Sequence, residues 1–295
     1  MNQQTARMRE IARELLEKKE VEMVIGWEKG TFFYNSTPVF ITKPEDADKL
    51  IWDDYCAVNF AKLLMDYRYL DGKVAVFVKG CDARGVNRLI QDLVIKREKI
   101  YLIGMPCPGM KDAKIAAKLG QEKEAEVPLE GKCLYCTHPN PVIYDVLIGD
   151  EVPVEIREDR FARIKEFEEK SSDEKAQFWA SQYDRCIRCY ACRNVCPACN
   201  CRSCVFDQNQ DWLERAVDRS GNQFYGLVRA FHVAGRCIEC GECERACPMG
   251  IPIMLLKHKI SKDINELFGE YEAGLDPEGD LPLGMYKADD PDEFM

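Results

Sequence analysis

The sequence predicts a two-part chain: an α/β N-terminal domain with a parallel or mixed sheet, then an α-helical domain, then an acidic irregular tail. Three observations predict it. Short apolar runs alternate with helical patterns through the first half. A highly charged stretch opens the second half, and Arg163–Phe178 contains neither Pro nor Gly. A spaced cysteine run is written twice after residue 186. The 295 residues suffice for two domains. We assign 1–155 to the α/β domain, 156–262 to the helical domain and 263–295 to the tail.

The elements follow in order. From Ala6 to Glu20, apolar residues recur at Met8, Ile11, Leu15 and Leu16, the spacing of an amphipathic helix. "EMVIGW", "TFFYN" and "PVFIT" read as strands, and "AVNFAKLLMDYRYL" as a helix. "KVAVFVKGCDARGVNRLIQDLV" reads as a buried strand, a Gly-containing turn and a helix, and "KIYLIGMPCPGM" repeats the strand-then-loop theme. Ligands collect at loops beyond the carboxyl ends of parallel strands, where Cys81 and Cys107 fall. After "LIGDEVPVE" the chain turns helical, with a cap at Ser171 or Ser172. "DWLERAVDRS" and "FYGLVRAFHVAG" read as further helices. In the tail, Leu281, Leu283, Met285 and Tyr286 offer apolar surface to a partner-binding arm.

Composition excludes several classes. The net charge of −10 argues against nucleic acid, which needs a basic surface. Between Glu272 and Glu293 the acids are opposed only by Lys287. The longest apolar runs, such as Val74–Val78, fall far below the ~20 residues of a membrane span. The N-terminus lacks an apolar signal core, so a cytoplasmic location is expected. Sixteen cysteines in a reducing compartment point to metal rather than disulfides.

The cysteines carry the chemistry. Cys186-x2-Cys189-x2-Cys192-x3-Cys196-Pro197 aligns with Cys237-x2-Cys240-x2-Cys243-x3-Cys247-Pro248. This is the run that holds [4Fe–4S] clusters, in which the fourth cysteine serves the neighbouring cluster. By that rule one cluster takes Cys186, Cys189, Cys192 and Cys247, and the other takes Cys237, Cys240, Cys243 and Cys196. Zinc does not call for a third cysteine at the same pitch, twice.

On these residues, "FHVAGRCIECGECERACPMGIP" resembles half of an α-helical dicluster ferredoxin domain, as found in anaerobic sulfite reductase and heterodisulfide reductase complexes. "KGCDARG", "GMPCPGM" and "GKCLYC" are similar to segments of the β subunits of coenzyme F420-reducing hydrogenase and formate dehydrogenase. Members of that family carry flavin and iron–sulfur clusters, so this resemblance implies FAD as a further cofactor. It also implies partner subunits of hydrogenase, formate dehydrogenase, heterodisulfide-reductase-like or flavin/NAD-linked type, hence a hetero-oligomer in an anaerobic metabolism.

The other cysteines form two groups. Cys81, Cys107, Cys133 and Cys136 lie on loops of the first domain, flanked by Gly80, Pro106, Pro108 and Gly131, and make a candidate third [4Fe–4S] site. Cys199, Cys201 and Cys204 need one more ligand to make a fourth, and Cys56 is the cysteine left over. The alternatives are thiols that hydrogen-bond the neighbouring cluster, or an exposed redox pair. His232, five residues before Cys237, either tunes a cluster or packs in its helix.

The function expected is an iron–sulfur electron-transfer subunit relaying single electrons between partner subunits. The alternative is a flavin-containing subunit that itself reduces a small substrate or deazaflavin. No Ser/His/Asp arrangement, Cys-Cys pair or strand-borne G-x-G-x-x-G is present, so no catalytic residues are assigned. Arg185, Arg188, Arg193 and Arg202 flank the first run, while Glu239, Glu242 and Glu244, with Arg236 and Arg245, flank the second. That contrast suggests a higher potential for the arginine-flanked cluster.

Overall fold

A computed structural model describes residues 3–208, 216–285, 288 and 290. The chain divides into two compact units, Met1–Glu158 and Asp159–Met295.

Unit 1 is built on a mixed five-stranded sheet in the order β2-β1-β3-β4-β5. The strands are β1 (Met23–Lys29), β2 (Ser36–Ile41), β3 (Val74–Val78), β4 (Ile100–Gly104) and β5 (Val146–Leu147). β1, β3, β4 and β5 run parallel, and β2 pairs antiparallel with β1. Every residue of β3 is buried, as befits a central parallel strand covered on both faces. α1 (Gln3–Glu17) buries Met8, Ile11, Leu15 and Leu16, the stripe its spacing foretold. Two expectations fail here. "TFFYN" is the connection between β1 and β2, because Phe33 and Tyr34 turn away to pack with Tyr55. "AVNFAKLLMDYRYL" forms only a 3-10 segment, Ala61–Tyr67.

α2 (Gly80–Gln91) leaves the end of β3, and α3 (Ala113–Leu119) and α4 (Gly131–Leu134) follow β4. Asp82 caps α2 by accepting the Lys79 amide at 2.9 Å, and its other oxygen accepts the Phe60 amide at 2.6 Å.

Unit 2 is helical. Its elements are α5 (Ala162–Glu168), α6 (Ser172–Asp184), α7 (Ala191–Asn194), α8 (Arg219–His232), α9 (Glu242–Arg245) and α10 (Ile253–Phe268). The charged stretch thus divides into two helices. Ser171 starts the second with a capping box, its hydroxyl accepting the Glu174 amide while Glu174 accepts the Ser171 amide. One apolar cluster of this unit is Ile164, Phe167 and Leu255, flanked by Phe161, Phe178 and Trp179, and Tyr225, Val233, Ile238, Ile251, Met254 and Ile264 are buried as well. α10 runs to Phe268, past the expected start of the tail at 263. Beyond it Ala273 is buried, while Leu283 and Met285 are exposed. Tyr286 and the first half of the expected helix "DWLERAVDRS" lie outside the described residues, and of its second half only Arg219 and Ser220 are helical, as the start of α8. Among the described residues, no helix is long and apolar enough to cross a membrane.

Candidate metal centres

The two cysteine runs fold as copies of one loop. Arg188 and Glu239, each the second residue after the first cysteine of its run, both adopt left-handed backbone (φ 48° and 57°). Tyr190 and Gly241, each just after the second cysteine, do the same (φ 59° and 69°). A left-handed non-glycine residue costs roughly 1–2 kcal/mol. Three of the four positions bear that cost, so the loop shape is enforced by its surroundings. The shape turns backbone amides toward sulfur: the Arg188 amide donates to Cys186, and the Glu239 amide to Cys237. Each loop then enters a one-turn helix, α7 or α9, and these two helices pack against each other.

The eight cysteines sort into two cavities. Cys186, Cys189, Cys192 and Cys247 line one, of about 590 Å³ counting solvent-open space. Cys196, Cys237, Cys240 and Cys243 line the other, of about 340 Å³. Cys189 is exposed at the edge of the first, whereas Cys240 and Cys243 are buried around the second. Burial raises the Cys237 thiol to about 11 and the Cys243 thiol to about 12, so bare thiols would be protonated at neutral pH. Metal binding would displace those protons. Among the described residues, no three of His, Cys, Asp or Glu converge to hold one ion. Thiols spread around a cavity suit a cube that offers each one its own iron; zinc instead needs its ligands about 2.0–2.3 Å from a single point.

The supporting groups come from distant helices. Asn222 on α8 accepts from Arg188 Nε at 3.0 Å and donates to the Cys186 carbonyl at 2.7 Å and the Tyr183 carbonyl at 3.2 Å. Tyr225 Oη lies 3.7 Å from Cys192 Sγ. Around the second loop the carboxylates are neutralised. Arg160 donates twice to Glu239, at 2.7 and 2.6 Å, and Arg245 twice to Glu242, at 3.0 and 2.6 Å. Glu244 accepts the Met254 amide at 2.8 Å. The charge contrast read from the flanking residues is therefore largely cancelled at the second loop. His258, buried beside Glu239, is held neutral by burial, while the carbonyl of the exposed His232 accepts from Arg236 at 3.4 Å. Asn222, Arg160 and His258 carry no motif; only their placement in the fold reveals them.

In unit 1, three loops meet beyond the carboxyl ends of β3 and β4. A Cβ on Gly80 would lie 1.8 Å from the His138 carbonyl oxygen, so only glycine permits this approach. A Cβ on Gly131 meets nothing, so that glycine is not required by crowding. The Cys107 amide donates to the Pro139 carbonyl at 3.0 Å, and the Met110 amide to Cys133 Sγ at 3.4 Å. The thiols act on one another: Cys107 raises Cys81, and Cys133 and Cys136 raise Cys107, each after the larger effect of burial. A buried cation lies beside them. Lys79 Nζ pairs with Asp82 at 2.8 Å, donates to the Val58 carbonyl at 3.0 Å and sits 4.2 Å from the Trp27 ring centre. Burial opposes its charge, but Asp82, Cys81 and Cys107 outweigh that and keep it protonated.

Cys56 is enclosed in the unit 1 core, its sulfur accepting the Asp53 amide at 3.4 Å. Cys199, Cys201 and Cys204 lie in unit 2. Cys199 hydrogen-bonds Cys196 and lowers its pKa, Cys204 bonds Arg193, and Cys201 is exposed.

Two looped cysteine runs wrapped on helices form an arrangement suited to iron–sulfur clusters, and residues 182–251 match the 4Fe-4S dicluster domain family. Along its length the chain is similar to the F420-dependent formate dehydrogenase subunit beta of Methanocaldococcus jannaschii, 26% identical with 89% of each chain covered. It is also similar to the F420-dependent formate dehydrogenase 1 subunit beta of Methanococcus maripaludis, 25% identical with 92% of this chain and 90% of that protein covered. These alignments run over 344 and 353 positions, more than this chain's 295, so the relatives carry segments without a counterpart here. A solved chain of the F420-reducing [NiFe] hydrogenase complex from Methanosarcina barkeri aligns with 38% of this chain and 40% of its own, at 20% identity and a TM-score of 0.31.

Proposed function

We propose that this chain is the iron–sulfur electron-transfer subunit of a cytoplasmic, anaerobic oxidoreductase complex. It relays single electrons between partner subunits of the formate dehydrogenase or hydrogenase kind. One observation carries the reading: each cavity draws three cysteines from one run and its fourth from the other. Such crossing makes the two sites neighbours, which a conductor needs and a pair of independent structural sites does not. Bound there, [4Fe–4S] clusters supply one-electron chemistry.

The chain's own residues hold, wrap and shield. Cys186, Cys189, Cys192 and Cys247 would bind one cluster, and Cys196, Cys237, Cys240 and Cys243 the other. Cys81, Cys107, Cys133 and Cys136 would bind a third in unit 1, next to Lys79. The closure of Gly80 onto the 138–140 loop and the tie between Met110 and Cys133 support that assignment. FAD forms no part of the proposal. The similarity to beta subunits of formate dehydrogenases supports a hetero-oligomer with a catalytic partner.

Iron per chain after anaerobic purification tests the count: about twelve for three cubes and about eight for two. Cysteine-to-serine variants test the sorting. Cys247→Ser should abolish the same EPR signal as Cys186→Ser, and Cys196→Ser the same signal as Cys237→Ser. If Cys247→Ser groups instead with Cys237→Ser, the crossing is wrong. Iron-free, colourless protein would end the whole reading.

A further inference from the structure

Arg229 on α8 and Lys257 on α10 each line both cysteine cavities of unit 2. They touch: Lys257 Nζ donates to the Arg229 carbonyl at 3.0 Å, and Arg229 donates through a terminal nitrogen to the Cys192 carbonyl at 2.6 Å. Arg229 is 5% exposed and Lys257 3%. Arg229 Nε has no hydrogen-bond partner among the described residues. The anionic groups acting most strongly on Arg229 are thiols, Cys196, Cys243, Cys199 and Cys192. Those acting on Lys257 are Cys237, Cys196 and Cys243. Every cysteine named except Cys199 belongs to one of the two cavity sets, and Cys199 hydrogen-bonds Cys196.

Two adjacent buried cations with no carboxylate partner among the described residues are an expensive arrangement, since each loses its hydration and each repels the other. A cluster held by four thiolates is a net anion and gains one more negative charge on reduction. A cation in its wall therefore favours the reduced form. Here the same two cations stand in both walls.

Resting on the two-cluster reading above, we propose that Arg229 and Lys257 form a shared cationic wall that raises the reduction potentials of both clusters together. The wall also offsets the repulsion an electron on one cluster exerts on reduction of the other. Flanking residues such as Glu239 and Glu242 act on one loop at a time. The wall acts on the pair, so both potentials rise or fall with it.

The test is an EPR-monitored redox titration of the full-length, anaerobically purified chain, with iron assayed on each sample. Lys257→Met and Arg229→Gln remove one charge each from different helices, so that one failing to assemble leaves the other to be read. Either should lower the equilibrium constant for reducing each cluster by about tenfold, a shift of about 59 mV for a one-electron couple. Lys257→Arg, which keeps the charge, should hold both midpoints near wild type. Arg219→Gln, which breaks an exposed pair with Asp184, should move neither. Unmoved midpoints in iron-replete variants overturn the wall, and so does a shift confined to one cluster. A Lys257→Arg shift as large as that of Lys257→Met overturns it too, by showing that packing and not charge is responsible. Absence of iron from the wild type is a different result, and overturns the two-cluster reading itself.

Discussion

At the scale of single residues, buried charge marks every cysteine site. Lys79 is 1% exposed, and its partner Asp82 also caps α2. Breaking a buried pair from one side leaves an unmatched charge and costs about 3–5 kcal/mol. Lys79→Met should therefore destabilise unit 1 by about that amount in anaerobic denaturant unfolding. Lys79→Met combined with Asp82→Asn should recover much of it, because the second change removes the stranded carboxylate. Equal losses in the single and double variants would show that Lys79 acts through packing on Trp27 instead. None of this was legible from Lys79 itself, which reads as one more surface lysine beside Gly80. The cysteines were legible, because their ligand spacing is local: three thiols at a pitch of three, then a fourth before a proline. The cations are not, because Lys79, Arg229 and Lys257 gain meaning only when separate elements bring them to the same sulfurs.

At the scale of elements, α8 is the scaffold of the first cysteine loop. Asn222, Tyr225, Gly226 and Arg229 follow helical spacing, so one face presents an amide, a phenol, a bare backbone and a guanidinium to residues 183–192. The helix was readable from "FYGLVRAFHVAG", but the buried face was not, since Asn222 and Arg229 look like solvent positions. Gly226 sets the distance. A Cβ there would lie 2.0 Å from Tyr183 Oη on α6, so Gly226→Ala must displace the buried Tyr183 ring or push the two helices apart. Overpacking of this kind costs about 1–3 kcal/mol. We expect lower unfolding stability together with faster loss of the cluster that we assign to Cys186, Cys189, Cys192 and Cys247, read as earlier decay of its EPR signal in air. A signal as durable as wild type would mean that α6 yields without disturbing the loop. The misread elements teach the complement. "TFFYN" has the composition of a strand, yet its aromatic rings find a better site against Tyr55 than any strand neighbour offers.

At the scale of the whole molecule, the two units are stabilised by different means. Unit 1 has a continuous core running from Met8 through Trp27, Val76 and Leu102 to Ile148. Among the described residues of unit 2, fewer apolar side chains are buried, and two cavities lined by eight cysteines, Arg229 and Lys257 lie among them. Apolar burial at about 25 cal/mol per Å² is thus concentrated in unit 1. In unit 2 bound clusters would add to a smaller core, in the way that bound metal supplies folding energy to small domains. Stripping the iron by oxidation and chelation should accordingly act unevenly. Hydrogen exchange of the stripped chain should show α6, α8 and α10 approaching unprotected rates. The amides of β1, β3 and β4 should stay protected, with faster exchange in unit 1 confined to the loops around Cys107 and Cys133. Retained protection across α8 and α10 would show that unit 2 folds without its clusters, and that Arg229 and Lys257 find their counter-charge elsewhere.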